Sequence, residues 1–502
     1  MKKLKSNITL LNVISSILLQ FITILSGFII PRIILKTFGS EVNGLISSLN
    51  QFLNYINILE GGLGGVVLAN LYKPLFNKDD KKISSVVKTT HDFYHKLSMI
   101  FLGYTIVLAF IYPLITHNSF SFAYIFSLTL ILSITLFIQF NFSLSYKLLL
   151  QADKKVYIVS FTQIILTILN VCIFIVMSKI IPNIHILKLV SGLIFIIQPI
   201  VFNHFIKKNY NINKKIKSDT NLLKERWNGF AINIAAFIHN NTDITILTIF
   251  TGLKVVSVYS VYALVTTGLK KLIQSASSAI SPSIGHLYAK GNIEELNKKF
   301  ELYEYSIFLI TFFLFTVGGL LITPFVQLYT KNITDVNYNQ PVFGIMIVIA
   351  ELIYCIREPY VSLAYSANKF KEIKKHAYIE AILNIILSLM LVKKLGLLGI
   401  AIGTIIAMTY RTLFHVWYLQ KNILNRSINI FVKKMALFTG ASIIVIIICT
   451  YIIPLKTISI INFILYGAIY SIVLSIVYII TSLIFYKEDI KSFKKLIKIG
   501  NK

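Results

Sequence analysis

The chain places ionisable side chains where an apolar sequence has least use for them. Glu60, Asp243, Lys270, Lys271, Glu351, Arg357, Glu358 and Arg411 all fall inside long hydrophobic stretches. At the centre of a membrane helix each costs roughly 2.5 to 3.5 kcal/mol before pairing or water relieves it. Acids and bases are equal in number. They either compensate one another across an internal cavity or leave the bases for an anionic substrate, and the sequence keeps both possibilities open.

The spacing around each group narrows its chemistry. In FAINIAAFIHNNTDITIL, His239, Asn240 and Asp243 share one helical face, a set suited either to a proton or sodium ion or to interhelical hydrogen bonds. Ser260, Thr267, Lys271, Gln274, Ser278 and Ser281 form a polar stripe, with Lys270 turned about 100° away from Lys271. This stripe makes Lys271 the cavity-facing candidate; the alternative is that both lysines snorkel to the cytoplasmic surface. In Arg357-Glu358-Pro359 the proline removes a backbone hydrogen bond, so a kink is expected beside the charges. Glu351, Tyr354 and Glu358 share a face there while Arg357 turns toward another helix, and a broken helix bearing Arg suits a phosphate-bearing ligand. Arg411 lies one helical turn before His415; His376, Glu380 and His415, nearest the inner ends of their spans, are expected at the interface. Arg32, after Pro31 at the outer end of the first span, serves either a lipid head group or a ligand.

A second polar feature is NGLISSLNQFLNYINILEGGLGGVVLANLYKPL, from Asn43 to Leu75. Asn43, Ser47, Asn50, Asn54 and Asn57 recur on one face, followed by Glu60 and the cluster Gly61, Gly62, Gly64 and Gly65. Such a stripe lines a cavity or packs against a neighbouring helix, and the glycines allow close approach or a loosened helix. Asn50, Asn54 and Asn57 are the candidates for substrate contact, and Glu60 joins Asp243, His239 and Asn240 as a candidate for ion coupling.

These residues need membrane helices to position them. Of the 502 residues, 56% are hydrophobic and only 14% charged, with a mean hydropathy of +0.75, which places the chain in a bilayer. The net charge of +29 would suit nucleic acid, but the Lys and Arg lie between apolar spans rather than in one basic domain, so they set topology instead. Cys172, Cys355 and Cys449 sit in apolar segments without ligand spacing, which argues against disulfides and zinc. The N-terminal run after Lys5 is long and lacks a cleavage motif, so it is expected to remain as the first span.

About fourteen apolar stretches of roughly 20 residues can be counted. The basic residues concentrate in alternate loops, with both termini cytoplasmic. The expected architecture is an all-α integral membrane protein of two six-helix lobes around a central cavity, plus two C-terminal helices. The boundaries expected are an N-terminal lobe at 1–206, a basic cytoplasmic linker at 207–226, a second lobe at 227–424, and two further helices with a basic tail at 425–502. Outside loops are short, leaving no room for a large catalytic domain. No P-loop, nucleophile elbow or metal-ligand spacing is present in the sequence, so the chain is expected not to be an enzyme and to need no cofactor beyond a coupling Na⁺ or H⁺.

Several strings together carry a family likeness: NGLISSLNQFL, LEGGLGG running into LANLYKPLFNKDDKKI, HNNTDITILT, VSVYSVYALV, ITDVNYNQPVFGIMIVIAELIYCIREPY and GLLGIAIGTIIAMTYRT. From Asn7 to about Leu424 the chain resembles the Wzx-like polysaccharide flippases of the multidrug, oligosaccharidyl-lipid and polysaccharide exporter superfamily. The resemblance implies an alternating-access bundle in the bacterial cytoplasmic membrane. It would move an undecaprenyl-pyrophosphate-linked oligosaccharide to the outer leaflet for capsule or other surface polysaccharide, alongside a polymerase or other export machinery and with no nucleic-acid partner. Basic cavity residues in that family are thought to meet pyrophosphate or acidic sugars; Lys271, Arg357, Arg411 and Arg32 are the positions here that fit that part. The rivals are a multidrug or cation antiporter, the lipid II flippase of the same superfamily, and a membrane polysaccharide polymerase, which the short outside loops disfavour.

Overall fold

The protein is described by a computed structural model covering residues 2–116, 119–213, 215–223, 237, 241–455 and 457–485. The regular structure of the described residues is all helical, without strands. Nine helical segments among them are long and apolar enough to cross a membrane. Their outward faces carry exposed Ile, Leu, Val and Phe, such as Ile106, Val107 and Phe110, or Ile476, Ile479 and Ile480. A surface so apolar suits lipid rather than water. The chain is thus a multi-pass membrane protein. Leu253–Ala289, Pro341–Ile356 and Phe370–Leu395, which hold several of the embedded charges, are not among the nine; Pro341–Ile356 is apolar but, at 16 residues before the break at Arg357, too short to be counted by itself.

The residues divide into two compact units, Met1–Ser257 and Val258–Lys502. In the first, α1 (Lys2–Asn54) runs for 53 residues, about 80 Å if straight and more than twice the roughly 30 Å of hydrocarbon. Gly39 resolves the excess: its φ of 85° and ψ of 177° break the helix in a conformation that residues with a Cβ avoid. Two further breaks bracket α2 (Asn57–Glu60), the second at Gly61 and the left-handed Gly62, before α3 (Leu63–Asn77). The glycine cluster does interrupt the helix beside Glu60. Then come α4 (Asp80–Ile115), α5 (Phe122–Ile138), α6 (Leu144–Ala152), α7 (Val156–Ile180), α8 (Ile184–Ile194) and α9 (Ile197–Asn209). Asp79, Ser121 and Asn183 accept backbone N–H groups at the starts of α4, α5 and α8.

Helical residues 241–250 pack within this unit against the second half of α1. A ladder of neutral hydrogen bonds joins them and the residues that follow: Asn43 donates to Ser257 (2.8 Å) and Gln51 to Asn241 (2.5 Å), while the hydroxyls of Ser48 and Thr248 (2.6 Å) and of Tyr55 and Thr245 (2.6 Å) meet directly. Close approach is what Gly44 permits, since a Cβ there would lie 1.8 Å from the Leu253 carbonyl oxygen.

The second unit holds most of α10 (Leu253–Ala289), then α11 (Ile293–Tyr329), α12 (Pro341–Ile356), α13 (Glu358–Ser366), α14 (Phe370–Leu395), α15 (Leu397–Leu419), α16 (Asn429–Ile447) and α17 (Ile460–Phe485). Gly396, at a φ of 54°, turns α14 back onto α15. The last two helices, bland in sequence and expected to be an appendage, are tied to α11: the Tyr305 hydroxyl donates to Ser482 (2.6 Å) and Thr316 to Ser442 (3.0 Å), which also meets Tyr478 (2.7 Å).

The α14–α15 hairpin is close because Gly399 faces backbone: a Cβ there would sit 2.6 Å from the Leu391 carbonyl carbon, whereas one at Gly440 would meet nothing within 4 Å. Gly399→Ala is therefore expected to lower the thermal midpoint of the detergent-solubilised protein, on the scale of roughly 1–3 kcal/mol for overpacking. Gly440→Ala should leave it unchanged or raise it. Equal midpoints for the two variants would show that the hairpin does not depend on this contact.

Candidate functional site

The most concentrated polar chemistry inside the second unit lies where α10, α12, α13, α14 and α15 meet. Pro359 has no N–H to return to the carbonyl of Cys355, so α12 stops at Ile356 and α13 starts at Glu358, with Arg357 at the joint. The break expected from the sequence falls where Arg357-Glu358-Pro359 put it. On one side of the joint, Lys270 Nζ sits 3.1 Å from Glu351 and 4.8 Å from the centre of the Tyr354 ring. One turn along α10, Gln274 donates to the Tyr354 hydroxyl (3.4 Å) and to Glu358 (3.3 Å). The shared face of Glu351, Tyr354 and Glu358 thus meets the Lys270–Gln274 edge of α10.

On the other side, Arg357 and Arg411 both reach Glu380: Nη1 of each approaches a separate carboxylate oxygen, at 2.9 Å and 2.5 Å. Arg357 also lies over the Tyr354 ring, 4.9 Å from its centre. All three charged groups are buried, Glu380 completely, Arg357 to 2% and Arg411 to 6% exposure. His415, also fully buried, pairs Nδ1 with the Arg411 carbonyl oxygen (2.9 Å). Two guanidinium groups on one carboxylate leave a surplus positive charge, and Glu358, next to Arg357 in the chain, accepts from Gln274.

A second buried carboxylate works in the same way nearer the ends of α11 and α16. Glu304 takes Lys434 (2.7 Å), Arg426 (2.9 Å) and the hydroxyl of Tyr360, while Gln420, in the π-helical turn after α15, accepts from Arg426 (2.5 Å). Sequence reasoning missed this cluster, because Arg426 and Lys434 fall in a basic stretch that read as a loop and Glu304, three turns into α11, has its basic partners more than 100 residues away in the chain. Glu380 and His415 are corrections: proximity to the inner ends of their helices suggested an interfacial place, but they are interior groups held by Arg411 and Arg357.

The remaining candidates are dispersed. Lys271 is exposed on α10, as is Ser278 of its stripe, while Lys270 is the lysine turned inward. Arg32 is half-buried on α1. Asn50 is exposed; Asn57 donates to Asn54 at 3.3 Å. Glu60 accepts from the Tyr94 hydroxyl at 2.8 Å beside the glycine break. Asp243 is half-buried on helical residues 241–250; His239 and Asn240 lie outside the described residues. Among the described residues no set of three or more His, Cys, Asp or Glu gathers as metal ligands.

Glu380→Gln is expected to be severely destabilising, on the scale of roughly 3–5 kcal/mol, because it leaves two buried guanidinium groups without a counter-charge. Arg411→Met should cost less, since Glu380 keeps Arg357. Thermal melting of the purified variants checks the order; a Glu380→Gln protein as stable as Arg411→Met would refute the shared-carboxylate account.

No family model and no curated protein matches the chain. Among solved structures it is similar over 95% of its length, and over 100% of the other chain, to the lipid II flippase MurJ in an inward closed conformation, at a TM-score of 0.68 and 18% identity. An inward-facing multidrug resistance MATE transporter of the MOP superfamily matches 83% of this chain and 99% of its own, at a TM-score of 0.61 and 13% identity. The MATE multidrug transporter DinF-BH, in a ligand complex, matches 84% and 96%, at a TM-score of 0.59 and 16% identity. At such identities the likeness establishes the fold, one found in these proteins in a flippase and in multidrug transporters, none of them an enzyme.

Proposed function

We propose that the protein is a flippase that carries undecaprenyl-pyrophosphate-linked oligosaccharide repeat units across the bacterial cytoplasmic membrane, by alternating access, for capsule or another surface polysaccharide. The observation that carries this reading is a likeness running end to end with a flippase of a lipid-linked substrate, joined to sequence strings that resemble the Wzx-like family. In this reading the chain crosses the membrane about fourteen times, as six-helix lobes at 1–206 and 227–424 and a C-terminal pair, with both termini cytoplasmic.

Lys271, already exposed, is the cation placed to meet an anionic group without prior rearrangement, and Arg32 is a second candidate. Arg357 and Arg411 would have to exchange Glu380 for it. Asn50, Asn54 and Asn57 offer amides to sugar hydroxyls. Glu60 and Asp243, with His239 and Asn240, are the groups for coupling to Na⁺ or H⁺. A polymerase or other export machinery would take up the product. The multidrug reading draws on the same fold; a cationic drug calls for unmatched acids, and while Glu351 and Glu380 are matched by Lys270, Arg357 and Arg411, Glu60, whose hydrogen bond comes from the Tyr94 hydroxyl, is the acid such a substrate would use.

The test is leaflet-resolved quantification of lipid-pyrophosphate oligosaccharide in cells depleted of the protein. The units should build up on the cytoplasmic leaflet and be cleared by the wild type. Lys271→Ala should clear them roughly tenfold more slowly, the scale of one lost charge-assisted hydrogen bond, at unchanged protein level. Build-up of lipid II instead would assign the substrate to cell-wall synthesis, and retention of cationic dyes with normal lipid distribution would assign drug export.

A further inference from the structure

The basic stretch that the sequence marks as a linker is, in its described part, an ordered strap on the first unit. Asn213 N donates to Ser84 Oγ (3.0 Å), Asp219 N to Thr89 Oγ1 (2.9 Å) and Asn211 Nδ2 to Asp80 (3.2 Å), all on α4; Asn70 of α3 donates to the Leu222 carbonyl (2.8 Å). Leu223 is buried, and Ile212 and Leu222 pack on the core of this unit. A connector that served only to span a gap would leave these groups to water.

The strap walls a cleft. On one side of Ile212 an open cavity is lined by Tyr146, Asn203, Lys207, Tyr210, Asn211 and Asn213; on the other, a second is lined by Lys88, His91 and again Tyr146. Among the described residues two lysines, a histidine and three amides, and no carboxylate, line these spaces. Acids beside the cleft already hold three of its groups: Asp92 holds Lys88 (2.7 Å), Asp80 accepts from Asn211 (3.2 Å), and Asp153 holds Lys155 (2.7 Å) and accepts from Tyr210 (2.5 Å). Lys207 has no ion pair among the described residues and is exposed at the cleft wall.

We infer that this cleft binds a phosphate-bearing molecule at the end of the first unit assigned to the cytoplasm by the lysine bias, with Lys207 as its cation and Asn203 and Asn213 as amide donors beside it. A phosphate needs several convergent donors and a cation without competing carboxylates, and the surface lysines that merely set topology need no such walls. The inference does not depend on the transport reading, because the cleft shares no residue with the groups assigned there.

The full chain in phosphatidylcholine nanodiscs tests it with two probes: inorganic phosphate, followed by ³¹P line broadening, and phosphatidylglycerol added to the disc, followed by lipid retained in native mass spectrometry. Lys207→Ala should weaken binding of the effective probe by roughly tenfold or more, the scale of one lost charge-assisted hydrogen bond. Lys208→Ala, exposed but outside the cleft, should leave it unchanged, and Asn203→Leu should weaken it by an independent route. A response to inorganic phosphate assigns a soluble phosphate ester, and a response to phosphatidylglycerol alone assigns a lipid head group. The inference is overturned if neither probe distinguishes wild type from Lys207→Ala, or if Lys208→Ala has an equal effect.

Discussion

An ionised side chain buried among membrane helices, away from water, is costly to leave without an opposite charge. Glu380 is where that requirement organises the second unit. It receives Arg357 from the joint between α12 and α13 and Arg411 from α15, and it stands on α14. One carboxylate therefore ties the broken helix to a closely packed hairpin. The break at Arg357 is compatible with burial because the guanidinium it carries is held at both oxygen and ring, by Glu380 and Tyr354. Glu304 repeats the arrangement with Arg426 and Lys434, joining α11 to the loop before α16 and to α16 itself.

The first unit solves its packing with neutral groups. Asn43, Ser48, Gln51 and Tyr55 meet Ser257, Thr248, Asn241 and Thr245 in a row of hydrogen bonds. In hydrocarbon such contacts hold helices together without the desolvation penalty of ions, and the absent side chain at Gly44 lets the backbones come near enough to make them. Glu60 is the ionisable exception in the polar stretch, and it sits beside a helix break with a tyrosine hydroxyl rather than a cation as its hydrogen-bond partner. The two units thus carry different polar chemistry: a neutral seam in one, compensated ions in the other.

Much of this was legible in the sequence because it is local. Apolar length marks the helices, Pro359 marks the break beside Arg357, and the glycines after Glu60 mark another. The common face of Glu351, Tyr354 and Glu358 follows from helical spacing alone. What spacing cannot contain is the partner. Asn43 and Ser257 are far apart in the chain, as are Glu304 and Lys434, and no periodicity links them. Lys270 and Lys271 differ by one helical step, and the polar stripe singled out Lys271 without revealing that Glu351 of α12 would engage Lys270. Glu380 and His415 looked interfacial because distance from a helix end was the only measure of depth available; the neighbouring helices, invisible in the sequence, bury them.

The pairing also sets what the buried arginines can do with an anion. A free guanidinium in the interior would bind phosphate readily, but it would also be costly to hold in the unliganded protein. With Glu380 as a built-in anion, Arg357 and Arg411 are stable without ligand, and an incoming phosphate has to displace a carboxylate oxygen from one of them. Such an exchange conserves the number of ion pairs only if Glu380 stays with the other guanidinium, and two arginines on two separate oxygens are the arrangement that allows it. Lys271, exposed on α10, needs no such exchange. In the proposed reading, a ligand that met both kinds of cation would form its first contact at Lys271 and reach the buried pair only where Arg357 or Arg411 gave up its oxygen of Glu380.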